Sequence, residues 1–356
     1  MELLQKTVSG VTPRDDLWRD RARERLDQLT MPHWALGRLL DLAIDLSGMM
    51  RTLKPVFRRK GIVVMAGDHG VVAEGVSKYP QDVTWQMVAN IVNEGAGINA
   101  LAAQAGADVR VVDMGVAGGV EALSRSGKIL SVPAGPGTAN MAKSPAMTRG
   151  KAVRCLETGI QIGLQMIDEE AYDLLGVGEM GIGNTTPSSA IISALTGKPA
   201  SAVTGYGTGI DEARKRHKIS VIERALEMNR PDPKDGLDVL SKVGGFEIGG
   251  IAGVILAAAA RNRPVLIDGL ISTAGALIAH SLAPAAADYM IAAHRSVEQG
   301  HIVALNRLGK EPLLDLNLRL GEGTGAAMAM NVVEGAAMVL KKVKTFAEAQ
   351  VSEAVE

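Results

Sequence analysis

The sequence predicts an α/β fold: an open parallel sheet with helices on both faces, plus a small helical domain built from the two chain ends. Three observations predict it. From about residue 60, short apolar runs that close on glycine or an acid alternate with longer helical stretches. Glycine-rich turns (GDHG, DMG, GVGEMGIGNTTP, TGYGTG and IDG) fall at the ends of the short runs. The chain ends show helical periodicity and no strand.

The elements follow in order. Trp18, Ala22, Leu26 and Leu29 share one helical face, and Leu36, Leu39, Leu40 and Ala43 repeat the pattern after Pro32. Residues 1–58 therefore read as two helices forming an arm, and 326–356 join it. Residues 59–325 read as the catalytic domain. GIVVMAGDHG (61–70), VRVVDMG (109–115), YDLLGVGEMG (172–181), SAVTG (201–205) and PVLIDG (264–269) read as buried parallel strands. Helices are expected at 84–94, 145–170, 211–228, 249–261 and 272–282. A last helix, about 325–343, ends in Lys341 and Lys342, where cations suit the helix C-terminus.

The 356 residues suffice for one large domain or two modest ones. Hydrophobic residues reach 47% but aromatics only 3%, so aliphatic side chains must fill the core. A net charge of −1 points to no nucleic-acid or membrane partner. The lone Cys155 excludes an internal disulfide and a cysteine-based zinc site. The charged N-terminus lacks a signal-peptide core, and no uncharged apolar run approaches about 18 residues. A reducing cytoplasm is the expected location.

Open α/β sheets bind ligands beyond the carboxyl ends of their strands, where these glycine turns lie. Gly176, Gly178 and Gly181 fit the dinucleotide fingerprint, which would make the chain a nicotinamide-dependent oxidoreductase. Two checks oppose that. Pro187 stands where the fingerprint helix should already run, and no acid follows about 20 residues on. An anion nest suits the turn better. Thr186 would cap a helix starting at Pro187, and Gly181, Gly183, Asn184 and Thr185 would aim amides at a phosphate. Gly205, Gly207, Thr208 and Gly209 repeat that logic. Lys218 reads either as a solvated surface lysine or as a cation for the same phosphate. Glu179, inside the turn, must point away from a phosphate; it and Asp268, at the end of PVLID, can also be ordinary strand-end acids bonded to loop amides.

No zincin pattern, nucleophile elbow or P-loop occurs. Asp68 and His69 read as a turn acid and a buried histidine more readily than as metal ligands. The acidic pair that holds ribose and magnesium in diphosphate-using transferases is missing, so the sugar donor is not expected to be a diphosphate.

Six stretches together resemble one family. They are MAGDHGVVAEGVS (65–77), GVGEMGIGNTTPSSA (176–190), TGYGTG (204–209), PVLIDG (264–269), AHRSVEQGH (293–301) and LRLGEGTGA (318–326). They are similar to the nicotinate-nucleotide–dimethylbenzimidazole phosphoribosyltransferases, which serve cobalamin lower-loop assembly, and they run in family order along nearly the whole chain. The resemblance implies a Rossmann-like parallel domain, a small helical domain, a homodimer and no cofactor. It implies transfer of 5-phosphoribosyl from nicotinate mononucleotide to 5,6-dimethylbenzimidazole, with Glu322 as the base. Tyr79, Gln86 and Met87 become candidates to line the base pocket, Glu179 is expected to face the ribose or the departing nicotinate, and Asp268 could hold a ribose hydroxyl. Tyr206 departs from the family's basic residue between the first two glycines of its turn.

The chemistry fits a lone glutamate. Nicotinate leaves a pyridinium as a neutral ring nitrogen and needs neither acid nor metal. The incoming benzimidazole must lose its N–H proton, and a positioned base contributes roughly 10²–10⁴ in rate. Flanking glycines would let the backbone approach a flat ring, and Thr324 would cap the helix that follows. A non-catalytic nucleotide sensor is the third class left open.

Overall fold

The computed structural model describes residues 1–352; the end of the 326–356 segment, residues 353–356, lies outside the described residues. The N-terminal segment forms three helices rather than two, α1 (Glu2–Gly10), α2 (Asp16–Leu26) and α3 (Arg38–Met50). The periodicity argument missed α1, and it began the third helix two residues early. Asp15 Oδ1 caps α2 by accepting from the amides of Leu17 and Trp18.

The sheet begins with β1 (Lys60–Gly67), buried along its whole length. Then come α4 (Val83–Val92), α5 (Gly97–Ala105), β2 (Ala107–Gly115), a short α6 (Glu121–Arg125) and the two-residue β3 (Leu130–Ser131). The long helix expected at 145–170 is α7 (Arg149–Leu164), capped by Thr148 and closed by a π turn over Gln165–Glu169. Next are β4 (Leu174–Met180), α8 (Thr185–Thr196), α9 (Ala200–Val203), α10 (Glu212–Asn229), α11 (Gly236–Val243), α12 (Phe246–Ala260), β5 (Val265–Ile267) and α13 (Leu270–Leu282). The chain continues through β6 (Met290–Ala292), β7 (His294–Ser296), α14 (Gln299–Leu308), β8 (Leu314–Leu318), α15 (Thr324–Lys342) and α16 (Phe346–Ala349).

Six strands make one sheet in the order β3-β2-β1-β4-β5-β6, every pair parallel. All carboxyl ends therefore share one edge, and the turns after β1, β2, β4 and β5 converge there. A second, two-stranded parallel sheet pairs β7 with β8. Helices cover both faces. On one, a Cβ on Gly250 of α12 would touch Met65 of β1 at 3.0 Å. On the other, a Cβ on Gly176 of β4 would meet Ala326 of α15 at 3.1 Å. All of α12 is buried except its last residue, because the sheet covers one side and α7 the other. Among the chain-end helices, α3 packs on α15 and α2, whereas α1 packs apart from them on α7 and α12.

The run at 201–205 is not a strand. Its first residues belong to α9, which opens directly after Pro199, and the place beside β4 is taken by β5. The sequence reading also missed β3, β6, β7 and β8, which span two to five residues each and carry too few residues for a periodic signal. No described helix is long and apolar enough to cross a membrane.

Candidate active site

A cavity of about 460 Å³ opens at the carboxyl edge of the sheet. Its walls bring together Glu179 from the end of β4, Gly181 and Asn184 from the turn that follows, Thr185 at the start of α8, Gly207 and Thr208 from the second glycine turn, and Glu322. A larger open groove, about 970 Å³, runs along the start of β2 and α5. It lies away from the glycine turns, and its Asp108 and Arg110 are already paired with Arg59 and Glu170. The smaller cavity is therefore the candidate site.

Glu322 projects from three successive left-handed residues, with φ of 85° at Gly321, 63° at Glu322 and 89° at Gly323. Only glycine adopts that conformation without cost, so the two flanking glycines leave the strain on Glu322 alone. Gly178 of β4 lies directly beneath, and a Cβ there would collide with the Glu322 carbonyl. Thr324 does not cap α15; it is the first helical residue, and its hydroxyl donates to Gly321 O at 2.7 Å. The Glu322 carboxylate instead faces the N-terminus of α5, where Oε2 accepts from Ile98 N at 3.2 Å. Oε1 makes no hydrogen bond among the described residues, and the side chain is 4% exposed. Burial raises the Glu322 carboxyl above its ordinary value, the Asp268 charge adds to this, and the Ile98 amide opposes both. The helix dipole alone would lower it, so desolvation wins and the carboxylate becomes a stronger base.

Asp268, at the end of β5, accepts from Gly325 N at 2.7 Å, Ala326 N at 3.1 Å and Gly323 N at 3.2 Å. Its oxygens are thus committed to the Glu322 turn, it does not line the cavity, and the ribose-hydroxyl reading is replaced by that of a strand-end acid bonded to loop amides. His294 Nε2 stands 3.5 Å from Asp268 Oδ1, and both residues are buried.

The turn after β4 differs from the expected nest in its start. The helix begins at Thr185, so Pro187 is its third residue, where the first turn tolerates proline. Thr186 does not cap it; its buried hydroxyl has no partner among the described residues. The Ile182 amide is tied to Thr84 Oγ1 and the Asn184 amide to Gly181 O. The amides of Gly183 and Thr185 make no hydrogen bond among the described residues, and Gly183 adopts φ 87° to turn the chain. In the second turn Gly209 N is tied to Tyr206 O and Gly207 N to Glu298 Oε1, which leaves the Thr208 amide free in the same sense. Gly176 and Gly178 lie inside β4 and α8 opens only at Thr185, so the dinucleotide fingerprint has no helix within it.

Lys218 is not a surface lysine. It is 1% exposed, and its Nζ donates to Thr185 Oγ1 at 2.5 Å. Burial pushes its ammonium down to about 8, against the charge of Glu298. Tyr206 turns outward, bonding Glu212 under the Lys215 ammonium, so the cation beside the nest is supplied by Lys218 instead. Glu179 accepts from the Asn184 amide nitrogen. Burial pushes its carboxyl up to about 8, and the charges of Asp268, Glu247 and Glu322 add to the rise. Glu179 is therefore largely protonated near pH 7, so it would not repel an anion held by the same turn.

Tyr79 and Met87 line the cavity, whereas Gln86 is exposed and does not. Val83 and Met87, four apart, share the half-buried stripe of α4 beside its core face of Thr84, Val88 and Ile91, and Gln86 lies on the exposed side. Gly183, Gly205 and Gly209 shape the turns without lining the cavity, and Lys218 does not line it either: it stands behind Thr185, which does. No cluster of three or more potential metal ligands occurs among the described residues. His69 pairs instead with Glu247, at 2.9 Å, in the interior.

Relatives decide the family. A family profile described as phosphoribosyltransferase matches residues 11–351. The nicotinate-nucleotide–dimethylbenzimidazole phosphoribosyltransferase of Syntrophotalea carbinolica is 63% identical over 99% of each chain. Its counterpart from Desulfotalea psychrophila is 55% identical over the same shares.

The chain belongs to the nicotinate-nucleotide–dimethylbenzimidazole phosphoribosyltransferase family.

The solved structure of that enzyme from Thermus thermophilus superposes with a TM-score of 0.89 at 44% identity, covering 96% of this chain and 100% of the other. The stretches that carried the family resemblance meet at one edge of the sheet. Sequence reasoning missed His294, Ser296, Glu298, Ser272 and Arg319, which also line the cavity. Three of them lie within AHRSVEQGH, a stretch recognised as a motif although none of its side chains had been assigned a place.

Proposed function

We propose that this chain transfers the 5-phosphoribosyl group of nicotinate mononucleotide to 5,6-dimethylbenzimidazole, releasing nicotinate and forming α-ribazole 5′-phosphate for cobalamin assembly. One observation carries the assignment of roles: Glu322 and residues of both phosphate-suited turns line a single cavity. The substrate phosphate sits against the Thr185 and Thr208 amides, where the N-terminus of α8 and the Lys218 ammonium favour an anion. C1′ then faces the middle of the cavity. The benzimidazole rests beside Met87, Tyr79 and Leu320, with its N–H toward Glu322 Oε1.

The second ring nitrogen attacks C1′ from the face opposite nicotinate, which inverts β to α. Its lone pair forms the new C–N bond while the old glycosidic pair leaves with the pyridine nitrogen. Glu322 accepts the proton, so the product ring leaves uncharged. A raised carboxyl affinity for protons makes that transfer easier while the group stays ionised in the free enzyme above its own pKa. Neutral Glu179 donates a hydrogen bond to the ribose or to the departing nicotinate. The enzyme works as a homodimer in the cytoplasm.

The deciding experiment mixes purified protein with both substrates and quantifies free nicotinate and α-ribazole 5′-phosphate by chromatography. Stoichiometric formation of both is expected. Failure to release nicotinate, or tight NAD binding in a fluorescence titration, would overturn the reading.

A further inference from the structure

Glu298 has no part in the mechanism above, yet it stands where the two glycine turns meet. It precedes α14, and its Oε1 accepts from Gly207 N at 2.8 Å. Its Oε2 lies flat against Gly205, where a Cβ would collide with it, and has no hydrogen-bond partner among the described residues. The side chain is 7% exposed. A Cβ built on Gly207 would stand 3.1 Å from Thr185 Oγ1 and 3.4 Å from Lys218 Nζ. The start of α8, the 204–209 turn, α10 and the start of α14 thus close around one small cluster. Gly300 tightens it further, since a side chain there would run into Val203 O.

A carboxylate beside a phosphate site is repulsive, so its presence requires another purpose. We propose that Glu298 is a positioning residue for the phosphate end of the cavity: it fixes the 204–209 turn through the Gly207 amide and sets a negative charge on the side of that turn where Lys218 approaches it. This rests on the reading that the substrate phosphate binds beside Thr185 and Lys218. The bond consumes the Gly207 amide, so the phosphate is received by the neighbouring Thr208 amide and by Lys218 rather than by all the glycine amides. The counter-charge is needed because burial drives Lys218 toward its neutral form. Thr185 contacts it without charge from α8, Tyr206 of the turn faces away toward Glu212, and Glu298 is the group whose charge acts in the opposite sense. A neutral amine would lose most of its attraction for a phosphate dianion.

The test measures kcat and KM for both substrates across the neutral to alkaline range in wild type, Glu298→Gln and Glu298→Ala. Glu298→Gln keeps an oxygen for the Gly207 amide and removes only the charge. It should move the alkaline limb of kcat/KM for nicotinate mononucleotide down by about one pH unit. The limb moves down because an anion's charge raises a neighbouring ammonium's pKa, and removing it lowers that pKa. Above the shifted limb KM for nicotinate mononucleotide should rise about tenfold, while KM for dimethylbenzimidazole stays put. Glu298→Ala should raise KM at every pH, since the turn loses its bracket as well. A merely structural role predicts no movement of the limb. Wild-type turnover with an unmoved limb in Glu298→Gln would overturn this proposal alone, whereas a wild type without turnover would overturn the phosphoribosyl reading itself. Glu179 also titrates near 8, but Glu298 is not among the groups that shift it, so its step should remain in place in the variants.

Discussion

The two ends of the cavity solve the same problem, holding a charge out of water, in opposite ways. At the base end the protein's own carboxylate carries the charge. Glu322 is fixed by three left-handed residues, an amide of α5 and an aspartate that ties down the turn. At the proposed phosphate end the substrate would bring the charge, and the protein supplies free backbone amides and one buried ammonium. Burial acts on both. It raises the carboxyl of Glu322 and lowers the ammonium of Lys218, moving each toward its neutral form. The base gains proton affinity from this, while the cation risks losing its charge. Under the proposed roles, desolvation assists catalysis at one end and has to be countered at the other.

The sharpest break in that contrast is Glu322→Gln. It should fold and bind both substrates yet lose about 10²–10⁴ in kcat, because the isosteric amide keeps the contacts and loses the base. Turnover close to wild type in a steady-state assay would end the division of labour proposed here. Lys218→Met tests the other end. Losing a charge-assisted contact should raise KM for nicotinate mononucleotide by about 10–100-fold and leave KM for the benzimidazole alone. Equal effects on the two substrates would mean that the ends are not separate.

Gly178→Ala probes the support under Glu322. Overpacking against its carbonyl should cost about 1–3 kcal/mol in a denaturation curve and lower kcat more than either KM. The pH profile of kcat/KM should have two limbs. The acidic one reports Glu322, which must be ionised to act, and lies above the ordinary glutamate value. The alkaline one falls near 8, where Lys218 and Glu179 both lose a proton. An activity still rising well beyond that range would contradict both protonated states. The smallest effect separates two neighbours on α4. Met87→Ala should raise KM for the benzimidazole by about tenfold, the scale of a lost apolar contact, whereas Gln86→Ala should change nothing measurable.

Much of this was legible in the chain because it is local. Alternating apolar runs marked β1, β2, β4 and β5, and parallel strands put their terminal turns at one edge. Glu322 stood out because its neighbours are both glycine, and a glycine need is a backbone property visible without any partner. The short strands β6, β7 and β8 left too little periodic signal.

What the tertiary structure alone decided is the state of the charges. That Lys218 is buried, that Asp268 is spent on the amides of α15, that Glu179 titrates near 8, and that Glu298 occupies the Gly207 amide all depend on segments far apart in sequence. Residue type and spacing name the groups that can ionise. Desolvation and nearby charges set whether they do, and both are properties of the packed chain rather than of its order.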